Sequence, residues 1–319
     1  MNIRKLILAA TLAFTAQQAL AQTYPARPVK IIVAYAAGQG TDIASRYVAE
    51  QLGKELGQPF VIDNKPGAGG NLGTELAARA QPDGYTLTMG TNATHVLNQY
   101  MYASMRFDGE RDFEPVALIG TFPMMLAVNA KSNLQTVGDV INATKTGGRM
   151  ADVAIPSTTA RLVVELLKER SGAPLFQVPY KGSGNAITDV LGGQLPLIVD
   201  TPTALRSQIT AGGLRPIAVT SGKPSGLVPG VKTVAEQGFE GYQVVAWNAL
   251  YAPSGTPAPV IATLSAAVMK VMARPDVRQK LLEIGFDPEG GTPSQLAEFA
   301  RAERKKWEPI IKTAGIKLD

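Results

Sequence analysis

Three loops in the first half of the sequence are rich in glycine, threonine and asparagine, and each follows an apolar run typical of a β-strand. These loops cover residues 36–42, 65–71 and 91–95. Glycine lets backbone N–H groups come close to a bound anion, and threonine hydroxyls donate hydrogen bonds to it. Such loops meet at the carboxyl ends of neighbouring strands, where helix N-termini also favour negative charge. The pattern predicts a carboxylate site that needs no arginine.

The first of these loops also resembles the beginning of a dinucleotide-binding fingerprint. Gly38-Gln39-Gly40 follows a predicted strand, and Asp63 ends the next strand, where a ribose partner would lie. Ile43 stands where the third glycine of the fingerprint belongs, so the fingerprint is incomplete. A dinucleotide site therefore stays open as the weaker alternative to a carboxylate site.

Residues suited to nucleophilic or metal-dependent catalysis are scarce. The chain has one histidine, His95, and no cysteine, so any Ser-His pair would have to use His95. The sequence contains no G-x-S-x-G motif and no cluster of His, Cys and carboxylate residues with metal-binding spacing. We therefore predict a protein that is not an enzyme and uses no metal or cofactor. His95 itself either hydrogen-bonds a ligand or has a structural role.

The elements that position these loops alternate between strand and helix. In the first half, strands predicted at 29–35, 60–63 and 85–90 are separated by segments in which apolar residues recur every three or four positions. The same order begins again at Asp152, with strands predicted at 153–155, 176–179 and 195–199. Strands that alternate with helices pair in parallel through right-handed crossovers. The sequence predicts an α/β fold with two similar lobes.

The last part of the sequence is predicted to be helical and to return to the first lobe. Thr292-Pro293-Ser294-Gln295 has the form of a capping box with a proline in the first turn. We place the two crossings between the lobes near Val128 and near residues 251–253. Lobe 1 then consists of residues 22–127 and 252–319, and lobe 2 of residues 128–251.

Residues 1–21 have the features of an export signal. Arg4 and Lys5 supply the positive charge, residues 6–14 form an apolar run, and Ala19-Leu20-Ala21 gives a small-x-small cleavage pattern. The apolar run is far shorter than the roughly 20 residues that span a bilayer. We predict export to the periplasm with cleavage after Ala21. The lack of cysteine excludes a lipid-anchored form.

The charge and the aromatic content exclude a nucleic-acid partner. The formal net charge of +5 is spread along the chain and forms no basic stripe. Aromatic residues make up 6% of the chain, which is too few for a platform on which bases stack. The small positive excess is compatible with an anionic ligand.

Ordered motifs occur along almost the whole chain: Tyr24-Pro25, Thr41-Asp42-Ile43, Asn64-Lys65-Pro66-Gly67-Ala68-Gly69-Gly70, Pro82-Asp83-Gly84-Tyr85, Val178-Pro179-Tyr180-Lys181-Gly182, Thr233-Val234-Ala235-Glu236 and Ala252-Pro253. Together they resemble the Bug family of periplasmic solute-binding proteins, the extracytoplasmic components of tripartite tricarboxylate transporters. The resemblance implies a two-lobed Venus-flytrap fold (periplasmic binding protein-like, type II) with a hinge. It also implies a small carboxylate ligand and membrane permease subunits as partners, and we expect a monomer.

By position, the resemblance places the anchoring carboxylate on lobe 1. The lobe 1 candidates are Ala37, Gly38, Gln39, Gly40, Thr41, Asp42, Ala68, Gly69, Gly70, Thr91 and Thr94. Lys181, Gly182 and Asp200 would face them from lobe 2. Lys181 is alternatively a solvated charge, Asp200 a turn cap, and Asp42 a helix cap whose charge would repel a carboxylate. Trp247 either closes over the ligand or packs at the hinge.

Two stretches depart from the family pattern. The first loop has Ala36, Ala37 and the Gln39 side chain where the family usually has prolines and paired glycines, and residues 156–159 lack the usual glycines. The residues predicted to set selectivity are Gln39, Ser157, Thr158 and Thr159. The sequence leaves open whether the solute is a dicarboxylate, a tricarboxylate, an amino acid or an aromatic acid. It also leaves open a sensory module that serves a receptor, or an exported enzyme.

Overall fold

The computed structural model describes residues 24–146 and 152–318. The predicted export signal and the cleavage after Ala21 lie outside these residues. Within the described ranges, no helix combines the length and the apolar character that crossing a membrane requires.

Strands and helices alternate along the described chain, as the sequence predicts. The strands are β1 (Val29–Val33), β2 (Phe60–Asn64), β3 (Thr86–Thr91), β4 (Phe113–Pro123), β5 (Met125–Asn129), β6 (Val153–Ile155), β7 (Gln177–Pro179), β8 (Leu197–Asp200), β9 (Leu214–Val219), β10 (Val245–Pro253) and β11 (Asp287–Pro288). The helices are α1 (Gly40–Leu56), α2 (Asn71–Ala78), α3 (Asn98–Met101), α4 (Val137–Ala143), α5 (Thr158–Ser171), α6 (Ser183–Leu191), α7 (Pro202–Thr210), α8 (Ala258–Ala273), α9 (Pro275–Glu283) and α10 (Pro293–Thr313). Short helical turns lie at Ala68–Gly70, Ala93–Leu97, Thr144–Thr146 and Ala235–Gln237.

The strands form two sheets with the same plan, which confirms the two-lobed α/β fold. The first sheet has the order β11-β4-β10-β3-β1-β2, and the second has the order β7-β6-β8-β5-β9. In each sheet three strands pair in parallel, namely β2-β1-β3 and β7-β6-β8. An antiparallel strand follows in both, β10 in the first sheet and β5 in the second. Helices α8 and α10 pack on β4, so the C-terminal helices return to the first lobe as predicted.

The chain passes between the sheets at positions that differ from the predicted crossings. Only Met124 separates β4 in the first sheet from β5 in the second, and the return lies between β9 and β10. The predicted boundaries put residues 125–127 in lobe 1 and residues 245–251 in lobe 2. Their strands pair in the opposite lobes, because β5 pairs with β8 and β9, and β10 pairs with β3 and β4. Gly120 and Pro123 lie between the two apolar runs, but β4 continues through both residues, so the crossing comes only at Met124.

Helix ends follow local sequence signals at several places. Helix α1 ends at Gly57, whose positive φ of 71° is the left-handed conformation that glycine adopts without strain. The predicted capping box at the start of α10 is present, with reciprocal hydrogen bonds between Thr292 and Gln295. Asp42 lies inside the first turn of α1 and is not its cap, because the helix already begins at Gly40.

Candidate functional site

A cleft of about 470 Å³ lies between the two lobes. Its walls are formed by loops at the carboxyl ends of β1, β6 and β7 and by the loop before α2. From the first lobe it is lined by Ala34, Tyr35, Gln39, residues 66–70, Tyr102 and Leu318. From the second lobe it is lined by Ile155, Pro156, Ser157, Thr158, Arg161, Pro179, Tyr180 and Lys181. The cleft thus unites the predicted residues Gln39, Ala68, Gly69, Gly70, Ser157, Thr158 and Lys181.

A narrow inner chamber of about 30 Å³ adjoins the cleft and is walled in part by the same residues, Tyr35, Gln39 and Ser157. The predicted residues Gly40, Thr41, Thr91, Thr159 and Asp200 also line this chamber, together with the unpredicted Asn92 and Asn248. Both asparagine side-chain nitrogens and one carboxyl oxygen of Asp200 lack a hydrogen-bond partner among the described residues. The chamber therefore offers two donors and one acceptor to a space about the size of one water molecule.

Gln39 closes the first loop (residues 36–42) and touches the second lobe. Its side-chain oxygen accepts a hydrogen bond from the Ala36 N–H at 2.9 Å. Its side-chain nitrogen donates to the Pro156 carbonyl at 3.2 Å. Ala37 and Gly38, which the sequence also nominated, are exposed and line neither the cleft nor the inner chamber.

The carboxylate of Asp42 is fully engaged by its neighbours and does not line the cleft. It accepts hydrogen bonds from the Gly38 N–H at 2.9 Å, from Arg46 at 3.0 Å and from the Asn64 amide at 2.8 Å. Burial raises the pKa of Asp42, but these hydrogen bonds, of which that from Arg46 is the largest, outweigh it and lower the pKa overall. Asp42 therefore stabilises the first loop as an anion, so its charge does not face a ligand.

The glycine loop (residues 67–70) has a backbone conformation that requires glycine. The φ angles are 139° at Gly67, 61° at Gly69 and 96° at Gly70. A Cβ added at Gly69 would collide with the hydroxyls of Thr158 and Tyr102. The bare backbone of this loop therefore lets the second lobe approach it closely, directly before the N-terminus of α2.

Thr94 and His95 lie behind the cleft wall. The Thr94 hydroxyl faces Nδ1 of His95 at 2.9 Å, and neither residue lines the cleft or the inner chamber. The His95 ring stacks on Tyr251 with 4.1 Å between ring centroids. Burial and, to a smaller extent, the charge of Arg304 lower the pKa of His95 to about 3. Of the two roles left open by the sequence, direct contact with a ligand is incompatible with this position.

Trp247, whose strand β10 belongs to the first sheet, and Gly182 of the second lobe contact protein and do not line the cleft. Trp247 is 0% exposed, and its ring packs against Phe299 with 5.6 Å between centroids. Two roles were predicted for Trp247, closing over a ligand or packing at the hinge, and its burial against Phe299 fits packing. A Cβ added at Gly182 would lie 3.0 Å from Cβ of Ala36, so Gly182 allows the two lobes to meet beside the cleft.

Arg161 is the charged residue of the cleft that the sequence analysis missed. It lines the cleft from the first turns of α5, and its Nε has no hydrogen-bond partner. Among the described residues no carboxylate lies within 4.0 Å of its guanidinium. Burial raises the pKa of the nearby Tyr102, and the hydrogen bond from Thr158 and then the charge of Arg161 oppose this rise only in part. The available signal was its spacing, since Arg161 lies four residues after Ser157 and shares that helix face.

The dinucleotide alternative and a metal site find little support in the geometry. Asp63, the proposed ribose partner, forms ion pairs with Lys65 at 2.9 Å and Lys30 at 3.8 Å and does not line the cleft. Over residues 24–146 and 152–318, no group of three or more His, Cys, Asp or Glu side chains is placed to hold a metal ion.

Asp200 is a buried carboxyl group whose ionisation is unfavourable. It is 2% exposed, and burial raises its pKa to about 6, although the Ser183 hydroxyl and the Thr201 N–H oppose this. The raised pKa means that the folded state binds more protons than the unfolded state between about pH 4 and pH 6. Over this range, Asp200 therefore lowers the free energy of unfolding as the pH rises.

We expect Asp200→Asn to remove this pH dependence. The difference in free energy of unfolding between the variant and the wild type should shift in favour of the variant by up to about 3 kcal/mol from pH 4 to pH 7. Urea denaturation of both proteins at the two pH values measures the shift. Parallel pH dependences for the two proteins would contradict the raised pKa.

Comparison with known proteins finds a matching family, sequence relatives and similar solved structures. The model of the Tripartite tricarboxylate transporter family receptor matches residues 44–316. Protein BugT of Bordetella pertussis is 33% identical over 303 residues, which cover 93% of this chain and 92% of BugT. R. palustris Rpa4515, solved with adipate, is 34% identical with a TM-score of 0.88, over 92% of this chain and 99% of that one. MatC (Rpa3494) from Rhodopseudomonas palustris, solved with bound malate, is 30% identical with a TM-score of 0.84, and the match covers 90% of this chain and 100% of MatC.

Other similar solved structures are described as a periplasmic transporter (34% identical) and as periplasmic binding protein BugD (31% identical). The family match begins after β1 and the first loop, and it covers the other strands of both sheets. This chain therefore belongs to the tripartite tricarboxylate transporter receptor family of periplasmic solute-binding proteins.

Proposed function

We propose that this protein captures a small carboxylate between its lobes and delivers it to the membrane permease subunits of a tripartite tricarboxylate transporter. The observation that carries the proposal is the unpaired Arg161 in the cleft, across from the glycine loop. A cation without a counter-ion in a partly enclosed space favours an anionic ligand. We propose further that the mature protein begins after Ala21 and acts as a monomer.

The two lobes supply different groups for the carboxylate. The first lobe offers the glycine loop and the N-terminus of α2, where backbone N–H groups and the helix dipole favour an anion. The second lobe offers the charges of Arg161 and Lys181. Hydrogen bonds from a guanidinium to a carboxylate are often bidentate and are stronger than neutral ones. A ligand in the cleft would therefore be held from both sides.

Relatives solved with adipate and malate support an aliphatic dicarboxylate as the first ligand class to test. Tricarboxylates, amino acids and aromatic acids are the further candidates. Gln39, Ser157 and Thr158 border the same space as Arg161. Together with Thr159 in the inner chamber, they are the residues that we propose to set selectivity.

Capture is proposed to occur by hinge closure. Among the described residues, the hydrogen bonds that join the lobes include Gln39 to Pro156, Thr159 to Asn92 and Thr203 to Gly285, each at 3.2 Å, and one between the side chains of Tyr102 and Thr158. A ligand that contacts both lobes only when they are closed shifts the population toward the closed form, and a ligand that contacts both forms equally shifts nothing. Simultaneous contact with Arg161 and the glycine loop would satisfy this condition.

A thermal-shift screen of ligand-stripped protein tests the proposed ligand class. We expect adipate, malate or another carboxylate of the panel to raise the melting temperature, because binding to the folded state alone stabilises it by about 2.7 kcal/mol at one hundred times Kd. The corresponding amides should leave the melting temperature unchanged, because they lack the charge that complements Arg161. A panel in which no carboxylate acts, or in which amides act equally well, would contradict the proposal.

We expect Arg161→Gln to weaken carboxylate binding by about tenfold to one hundredfold, because a hydrogen bond to a charged group contributes about 1.5 to 3 kcal/mol. Isothermal titration calorimetry with adipate and malate measures the change. Arg170→Gln is the matched control, since Arg170 is exposed in the last turn of the same helix and does not line the cleft. Equal affinities for the Arg161 variant and the wild type would remove Arg161 from the site.

We expect Gly40→Ala to block closure without unfolding either lobe. Gly40 is the first residue of α1, where alanine is tolerated, but the added Cβ would collide with Thr201 of the second lobe when the lobes meet. Affinity should fall at least about tenfold, and small-angle scattering should show no compaction with ligand.

Gly184→Ala is the control for this variant. Gly184 lies in the first turn of α6, and an added Cβ there meets no atom within 4 Å. We expect normal binding and compaction from the control. Normal compaction of the Gly40 variant would contradict the closure proposed for capture.

A further inference from the structure

A continuous line of side-chain hydrogen bonds runs from the cleft wall to His95. The Tyr35 hydroxyl lies 2.8 Å from the Thr91 hydroxyl, which lies 3.3 Å from the Thr94 hydroxyl. The Thr94 hydroxyl is 2.9 Å from Nδ1 of His95. Tyr35 borders both the cleft and the inner chamber, whereas Thr94 and His95 are only 2% and 1% exposed. The line therefore connects the ligand space to the protein interior.

Backbone N–H groups occupy one acceptor position on each threonine hydroxyl. The Thr91 N–H donates to the Thr94 hydroxyl at 3.1 Å, and the Thr94 N–H donates to the Thr91 hydroxyl at 3.3 Å. A hydroxyl has one proton and two acceptor positions, so each threonine has one proton and one acceptor position left for its side-chain neighbours. The Thr91 carbonyl oxygen, 3.5 Å from the Thr94 hydroxyl, is a longer and weaker alternative acceptor for the Thr94 proton. When the shorter side-chain contacts are used, all protons along the line point the same way, because a break would leave two oxygens facing each other without a proton.

Two directions are possible, and the tautomer of His95 selects between them. With the proton on Nε2, Nδ1 accepts from Thr94, and at the other end Tyr35 donates inward to Thr91. With the proton on Nδ1, His95 donates to Thr94, and the sequence of donors continues through Thr91 to Tyr35. Tyr35 then directs its own proton into the cleft. A carboxylate only accepts hydrogen bonds, so the second direction is the one that suits it.

We infer that His95 is a positioning residue whose Nδ1-protonated tautomer sets the direction of this line and so aims the Tyr35 proton at the ligand carboxylate. The inference rests on the proposed carboxylate function. His95 acts through Thr94 and Thr91, since its own ring lies behind the wall against Tyr251. The neutral imidazole suits this role because one ring nitrogen donates while the other stays unprotonated.

The charge states of the two ends are compatible with the line. Burial is the main cause that raises the pKa of Tyr35 to about 12, so its hydroxyl keeps its proton. Burial likewise lowers the pKa of His95 to about 3, so the ring stays neutral at the pH of the periplasm. The line therefore works as a fixed arrangement of neutral donors, and it requires no change of charge when a ligand binds.

The tautomer is directly measurable, because the chain contains a single histidine. Protein labelled with ¹⁵N-histidine gives one pair of imidazole nitrogens, whose shifts and one-bond couplings report which nitrogen bears the proton. In the complex with adipate or malate we expect the proton on Nδ1. A proton on Nε2 in that complex would overturn the inference.

A double-mutant cycle tests the same inference through affinity. We expect His95→Leu to weaken adipate or malate binding about tenfold, and His95→Asn less than about threefold, because the Asn amide can donate from the place of Nδ1. Both variants lose the aromatic stacking on Tyr251, so a purely structural role would affect them alike. In the Tyr35→Phe background, His95→Leu should change affinity less than about twofold, because the group through which it acts is gone.

The outcomes separate this inference from the proposed function. A wild-type protein that binds no carboxylate would overturn both. If the wild type binds a carboxylate, two results would overturn the positioning role alone. One is an equal loss of affinity in His95→Leu and His95→Asn, and the other is additive effects of Tyr35→Phe and His95→Leu. The positioning role would be supported if His95→Leu lost affinity, His95→Asn kept most of it, and the effects of His95→Leu and Tyr35→Phe were not additive.

Discussion

Parallel strands place their carboxyl ends at one edge of a sheet, and the two sheets of this protein turn those edges toward the same cleft. The proposed site depends on this constraint, because β1, β6 and β7 each end in a loop that lines the cleft. The two sheets have matching strand orders, so the ends of their parallel strands can face each other. The chain enters the second sheet after a single residue, Met124. Close approach of the lobes further requires that Gly40, Gly69 and Gly182 have no side chain.

The electrostatic contributions of the two lobes differ. The first lobe presents backbone and neutral side chains to the cleft, and its nearby acid Asp42 is neutralised by Arg46 and Asn64. The second lobe presents Arg161 and Lys181. Under the proposed function, the first lobe orients the acid group by hydrogen bonds, and the charge of that group is neutralised only when the second lobe closes. Charge neutralisation and closure are then the same event.

The fold was predictable from the sequence to a large extent, because buried strands and amphipathic helices have distinct periods and the motifs are ordered along the whole chain. Their positions after strands also predicted that the glycine loop, Gln39, Thr91, Ser157 and Asp200 would lie close together, and these residues line the cleft or the inner chamber. The first crossing was misplaced because β4 continues through Gly120 and Pro123 and β5 follows after Met124 alone. The direction of individual side chains also could not be predicted, because strand or helix period alone does not decide it. Arg161, Asn92 and Asn248 line the cleft or the inner chamber, whereas Trp247 and Thr94 line neither.

The hydrogen bonds that join the lobes have a consequence for unloading. A typical hydrogen bond of this kind contributes about 0.5 to 1.5 kcal/mol net, and the one from Gln39 to Pro156 lies at the wall of the cleft. Bonds of this strength can be exchanged for bonds to another surface. Under the proposed function, contact with a permease would therefore release the carboxylate through a change in the contacts between the lobes, while the tertiary structure of each lobe stays intact.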